Sequence, residues 1–274
     1  MPDTSAENRR APYILGYGDT SVNWMAARSV ENHAGFFIPF LKSGMKLLDC
    51  GCGPGTISVG LAQLVAPAEM VAMDIEPSQV DLTRASASEC GIDTMTCREG
   101  SILAIPFEDD TFDAVFVSAV VGNLAHPQQA LAETYRVLKS GGVLGIREFD
   151  HGGNMIHPSS PVLEKSVAIY KAVREEHHHT KEFGRALRGA LHQAGFQLLQ
   201  INASYETYGE PGRVKAQAQR IANIFRESLG AQAVKAGLSD VKEIETIIHS
   251  WEIWGEDSRA FFAAAWVDAV ARKL

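Results

Sequence analysis

Leu47-Leu48-Asp49-Cys50-Gly51-Cys52-Gly53-Pro54-Gly55 is the stretch on which the reading of this chain turns. An apolar run ends on an acid, three glycines alternate with small residues, and helical spacing sets in at Thr56, with Ile57, Leu61 and Leu64 on one face. A strand that breaks into a glycine loop and then a helix lets a ligand approach the backbone closely and offers it the free N–H groups of the helix start. Alone, such a loop is shared by several nucleotide-binding folds and by tight turns that bind nothing.

Outward from the loop, short apolar runs alternate with helical stretches, the pattern of a parallel α/β sheet. Strands are expected at 46–50, 70–74, 95–98, 113–118, 142–148 and 197–204, several of them unbroken apolar runs as in strands covered on both faces. Helices are expected at 56–65, 78–89, 128–138, 159–178, 184–194, 211–230 and 239–254. Pro77 and Pro127 suit first helical turns, and Ser140-Gly141-Gly142 suits a left-handed cap after the 128–138 helix. Residues 260–271 read as a last strand returning to the sheet, with a helix as the competing reading because of the five alanines.

Composition narrows the class. The chain has 274 residues and a formal charge of −8, with no Lys/Arg run, which argues against a nucleic-acid partner. The polar Met1–Pro12 stretch is no secretory signal, and the longest clean apolar run, 261–267, is too short to cross a bilayer. Neither the four cysteines nor His177-His178-His179 reads as a metal site, since adjacent helical residues point apart. A reducing cytoplasm is the expected location, and the oligomeric state stays open, a homodimer included.

Four further elements follow the loop in order. Asp74 closes the second strand in Val71-Ala72-Met73-Asp74-Ile75, where a carboxylate can hold both ribose hydroxyls of a nucleoside. Then come Leu103-Ala104-Ile105-Pro106-Phe107, Thr111-Phe112-Asp113-Ala114-Val115 and Arg136-Val137-Leu138-Lys139-Ser140-Gly141-Gly142. Over residues 45–150 this ordered set resembles the class I S-adenosylmethionine-dependent methyltransferases, nearest the ubiquinone/menaquinone-biosynthesis type and its natural-product relatives.

The resemblance implies an α/β, Rossmann-like, doubly wound, seven-stranded and mainly parallel sheet with a helical N-terminal segment and a helical lid. The expected division is 1–44 capping the cofactor site, 45–208 the core, 209–258 the lid and substrate region, and 259–274 returning to the core. It implies S-adenosylmethionine as cofactor, with Asp49, Gly51 and Gly53 at its methionine part, Asp74 at the ribose and Ile75 on the adenine. Ser101 and Ile102 would meet the adenine edge, Ser118 the methionine amino group, and Gln79 and Tyr17 complete the set. Ser101 stands where the family more often has aspartate, and the 122–127 segment also departs from the family pattern. His126, Trp251 and Trp254 are the substrate-side candidates. Asp150 and His151, just past the fifth strand, are the candidates for acid–base work, with Asp150 orienting the imidazole and raising its basicity. The acceptor is expected to be a small apolar or aromatic molecule. A nicotinamide-dependent oxidoreductase and a non-catalytic cofactor binder are the competing functions.

Overall fold

A computed structural model describes residues 13–180 and 182–274; the Met1–Pro12 stretch lies outside the described residues. The strand before the glycine loop, β1 (Leu47–Cys50), is buried throughout and central, parallel to β2 (Met70–Asp74) on one side and β4 (Phe112–Ser118) on the other. Beyond β2 lies β3 (Met95–Glu99), and beyond β4 lies β5 (Leu138–Phe149), both parallel to their neighbours. The last strand, β8 (Phe261–Arg272), runs antiparallel between β5 and β7 (Gln197–Tyr208).

Among the described residues eight strands therefore form the sheet where seven were expected, and the difference is local. The short β6 (Met155–His157) pairs with Phe261–Ala263 of β8 on the edge that β5 has just left, so it prolongs β5's rank rather than adding one. Residues 260–271 resolve as strand. Ala263 is buried between β6 and β7, and Ala264 and Ala265 are buried beside β7, so cross-strand packing overrides alanine's helical preference.

The two faces of the sheet are filled by alternate residues of the same strands. Leu47, Met70, Ala114 and Phe116 pack with α2 (Val30–His33), Phe37 and α3 (Thr56–Val65). Leu48, Val71, Val115 and Val117 pack with α5 (Pro127–Val137) and α7 (Phe183–Gln193). Between β2 and β3 runs α4 (Pro77–Glu89), opened by Pro77 as expected. One turn differs: α5 stops at Val137, and Leu138 is already extended because its buried side chain belongs to β5. Gly141, at φ +79°, then sits in a β-bulge region rather than in a helix cap.

A further apolar cluster joins α6 (Pro161–Glu176), α8 (Pro211–Ile224), a π-helical turn (Phe225–Leu229), α9 (Gly230–Lys235) and α10 (Val241–Gly255). It is anchored on Tyr208 at the end of β7 and on Phe262 and Ala264 at the start of β8, which is the carboxyl edge of the parallel strands. Of the N-terminal segment, the described part forms α1 (Asp19–Ala26), α2 and a single 3-10 turn, so less of it is helical than the sequence suggested. Among the described residues no helix is long and apolar enough to cross a membrane.

Candidate active site

The loop after β1 forms the floor of a cavity. Gly51, Gly53 and Gly55 all have positive φ (+82°, +54° and +85°), which places them where side chains are strained. Gly55 is further confined, because a Cβ there would lie 2.7 Å from the Thr83 Cα. Asp49 anchors the start of α3 by accepting from Ser58 Oγ at 2.6 Å, and Thr83 Oγ1 donates to the Gly53 carbonyl at 2.7 Å. Burial pushes the Asp49 carboxyl up to about 7, against the Ser58 bond.

Asp74 faces the same loop from β2. Its Oδ2 accepts from the Gly53 N–H at 2.9 Å and its Oδ1 from the Glu76 N–H at 3.0 Å, so the acid both shapes the loop and borders the cavity. Burial raises its pKa, and the backbone donors oppose the rise. The cavity is lined by Tyr17, Asp49, Gly51, Gly53, Asp74, Ile75, Gln79, Ser101, Ile102 and Ser118, so the ten residues singled out for a cofactor converge on one space. Two of them carry buried atoms with no partner, Gln79 Oε1 and Ser118 Oγ. Such orphaned polar atoms at a cavity wall fit a ligand that supplies the missing hydrogen bonds.

The N-terminal segment closes this cavity with Met25 and Arg28 as well as Tyr17, and sequence reasoning missed the first two. Arg28 is 9% exposed; its guanidinium lies 4.2 Å from the Trp24 ring centroid, and its Nε has no hydrogen-bond partner. Burial lowers its pKa.

A second cavity adjoins the first, and Tyr13 and Asn123 line both. Its wall is aromatic and apolar: Trp24, Phe149, Tyr170, Tyr208, Phe225, Trp251 and Phe262 are among its residues, together with His151. His151 stacks on Phe149 with centroids 5.0 Å apart and planes at 15°, and its Nε2 lies 3.3 Å from the Tyr170 hydroxyl. Burial, then the Arg174 charge, push its pKa down to about 3, with Asp150 opposing weakly.

That arrangement corrects the expected Asp150–His151 pair. The Asp150 carboxylate is taken by Arg185, through the backbone N–H at 2.8 Å, Nε at 2.9 Å and Nη2 at 2.7 Å. Burial raises its pKa, but the Arg185 bonds outweigh it and hold the carboxyl below the usual range. The ring of His151 is set by Tyr170 and Phe149 instead, and it is less basic than a free imidazole, not more.

Two substrate-side candidates also fall elsewhere. His126 is exposed and stands at the N-cap of α5, outside the lining of both cavities, because Pro127 starts the helix there. Trp254 lies behind the second cavity, its Nε1 donating to the Pro158 carbonyl at 3.0 Å. Trp251 does line that cavity and donates to Ser166 Oγ at 3.0 Å. His179 is buried and pushed down to about 4, chiefly by desolvation.

A doubly wound sheet with a glycine loop, an acid ending β2 and two joined cavities at its carboxyl edge is the architecture of a class I methyltransferase. A profile of the methyltransferase domain family matches residues 41–244, and the chain belongs to that family. It is 28% identical to the probable methyltransferase ltbC of Aspergillus luteorubrus, over 95% of this chain and 97% of that one. It is 32% identical to the ubiquinone/menaquinone biosynthesis C-methyltransferase UbiE of Roseobacter denitrificans, over 47% of this chain and 50% of the relative. A SAM dependent methyltransferase from Aquifex aeolicus matches with a TM-score of 0.53 at 21% identity, covering 68% of this chain and 92% of that one, a likeness of fold.

Proposed function

We propose that this protein transfers a methyl group from S-adenosylmethionine to a small, largely apolar acceptor held in the second cavity, in a cytoplasmic setting. The observation that carries the reading is the first cavity, where Asp74, the glycine loop and the unpartnered Gln79 and Ser118 atoms meet, opening beside an aromatic pocket. When bound, S-adenosylmethionine supplies a methyl group already activated on a sulfonium.

In this reading Asp74 accepts from the ribose hydroxyls, Ile75 and Ile102 flank the adenine, and Ser101 meets its edge. Ser118 and the Gly51–Gly53 backbone serve the methionine part, and Asp49 fixes the loop that carries them. Arg28 adds a cation suited to the methionine carboxylate, which relieves a guanidinium otherwise buried against Trp24. Residues 1–44 act as a cap, 45–208 as the cofactor-binding core, 209–258 as the lid and 259–274 as the closing strand; α6 contributes to the lid's core as well. The aromatic wall excludes water and orients the acceptor, which is most of what an in-line displacement asks of the protein.

His151 is a positioning group here, not a strong base. With its pKa held near 3 it is neutral at working pH and gains a proton only as the pH falls through that value, so it adds no inflection to kcat/KM above about pH 4. His151→Ala is expected to lower kcat by less than about tenfold, with an unchanged pH profile, far below the 10²–10⁴-fold of a lost general base. A loss of that larger size, or the disappearance of an acidic limb, would restore the base role.

Gly53 tests the first cavity. A Cβ at this position meets only Met25 Sδ, at 3.7 Å, so Gly53→Val adds bulk at φ +54° beside the space assigned to the cofactor. We expect it to weaken S-adenosylmethionine binding by about 2 kcal/mol or more. At Gly51 a Cβ collides with the Val120 side chain, so Gly51→Val is expected to lower the melting temperature as well. Calorimetry paired with thermal unfolding separates the two effects.

The reaction itself is tested with S-adenosylmethionine carrying a labelled methyl group, offered with panels of aromatic small molecules, peptides and RNA. Label on a small molecule supports the proposal. Label only on peptide or RNA overturns the acceptor class, and cofactor binding with no transfer to any panel favours a non-catalytic binder.

A further inference from the structure

Among the described residues the second cavity is lined by two arginines, Arg174 and Arg220, and by no acidic side chain, in a chain whose overall charge is −8. Arg174 is 4% exposed, and every acceptor it reaches among the described residues is neutral: Asn123 Oδ1 at 2.8 Å, the Gly122 carbonyl at 2.8 Å, the Thr180 carbonyl at 3.2 Å and the Tyr170 hydroxyl at 3.4 Å. Its Nε has no partner. Glu148 lies within electrostatic reach, but its carboxylate is turned to the Val120, Val121 and Gly122 N–H groups and is pushed up by burial to about 7.

Arg220 approaches from α8. Its guanidinium lies 4.4 Å from the Trp24 ring centroid, and its Nε donates to Gln217 Oε1 at 2.9 Å. The acid nearest in its electrostatic surroundings, Glu206, accepts from the Tyr208 hydroxyl at 2.6 Å and stands 3.9 Å from Arg213, outside the cavity lining. Both arginines act on the Tyr13 hydroxyl, so their fields meet at the junction of the two cavities. Arg174 is buried and Arg220 half-buried; guanidinium groups withdrawn from water without carboxylate partners are costly unless an anion completes them, and a planar fork suits an oxyanion.

We propose that the acceptor carries one anionic oxygen group, a carboxylate or an ionised phenol or enol, on a flat apolar body, seated against Arg220 and the Arg174–Tyr170–His151 set. The inference rests on reading the second cavity as the acceptor site of a methyltransferase, and it names the class of that acceptor. The apolar body lies against Trp24, Phe149 and Trp251, while the neutral His151 and the Tyr170 hydroxyl add hydrogen bonds to the anionic end.

Quenching of tryptophan fluorescence reads occupancy directly, since Trp24 and Trp251 line the cavity. The probes are 2-naphthoate and 4-nitrophenolate, each against its neutral methylated form, methyl 2-naphthoate and 4-nitroanisole. We expect at least one anion to bind about tenfold or more tightly than its neutral partner. The naphthoate pair leading assigns a carboxylate, and the nitrophenolate pair leading assigns an ionised hydroxyl. Arg174 also ties the Gly122 and Thr180 carbonyls, so Arg220→Gln carries the test: it should abolish the preference, and Arg220→Lys should keep part of it. Calorimetry with S-adenosylmethionine on the same samples should show wild-type cofactor affinity in both variants. Equal binding of anion and neutral form, or a preference that survives both Arg220→Gln and Arg174→Gln, overturns the inference even if the cofactor binds. A preference lost in Arg220→Gln supports the anion site even where cofactor binding fails, which would count against the methyltransferase reading alone.

Discussion

Replacing Asp74 by alanine is expected to weaken S-adenosylmethionine binding by about 2 kcal/mol or more, on the order of 30-fold, because two ribose donors lose a charged acceptor. The same carboxylate holds the Gly53 and Glu76 N–H groups, at 2.9 and 3.0 Å, so the substitution also loosens the loop that borders the cavity. Calorimetry gives the affinity and thermal unfolding the fold. A folded Asp74→Ala protein with wild-type affinity would remove the ribose role.

The largest expected loss of stability lies at the sheet's antiparallel strand. Arg147 and Asp268 face each other in the β5–β8 register, 2.6 Å apart, with side chains 8% and 7% exposed. Burial drives both toward neutrality, lowering the arginine pKa and raising the aspartate, so desolvation outweighs their attraction. Such a pair adds little against an apolar replacement, but removing one member strands the other charge. Asp268→Ala is therefore expected to cost about 3–5 kcal/mol in denaturant unfolding, and the double variant Arg147→Met, Asp268→Leu to recover most of that. A single-variant loss below about 1 kcal/mol would contradict the argument.

What the sequence disclosed follows from how local each signal is. The glycine loop and Asp74 were legible because a strand end, a turn and a helix start are set by adjacent residues, and the cofactor-side candidates converge on one cavity. The β8 strand was ambiguous because alanine favours helix, and only partners distant in the chain bury Ala263–Ala265. The three-residue β6 has too little pattern to be seen before β8 is in place. In the second cavity, Tyr13, Trp24, Asn123, Tyr170, Arg174 and Arg220 are brought together from five separate segments, and no spacing announces them. The Asp150–His151 pairing failed for a related reason: neighbours in sequence parted when Arg185, from α7, claimed the carboxylate. Arg220 stands in a helix that also carries Arg213, Lys215, Gln217 and Gln219, so nothing in the sequence set it apart.

The central claim is that the cavity floored by the Gly51–Gly55 loop is an S-adenosylmethionine site. Isothermal titration of the purified full chain with S-adenosylmethionine, S-adenosylhomocysteine and NAD tests it most directly. Saturable one-to-one binding of the first two is expected, lost or sharply weakened in Asp74→Ala and Gly53→Val, with no binding of NAD. Tight NAD binding with no heat from S-adenosylmethionine would contradict it.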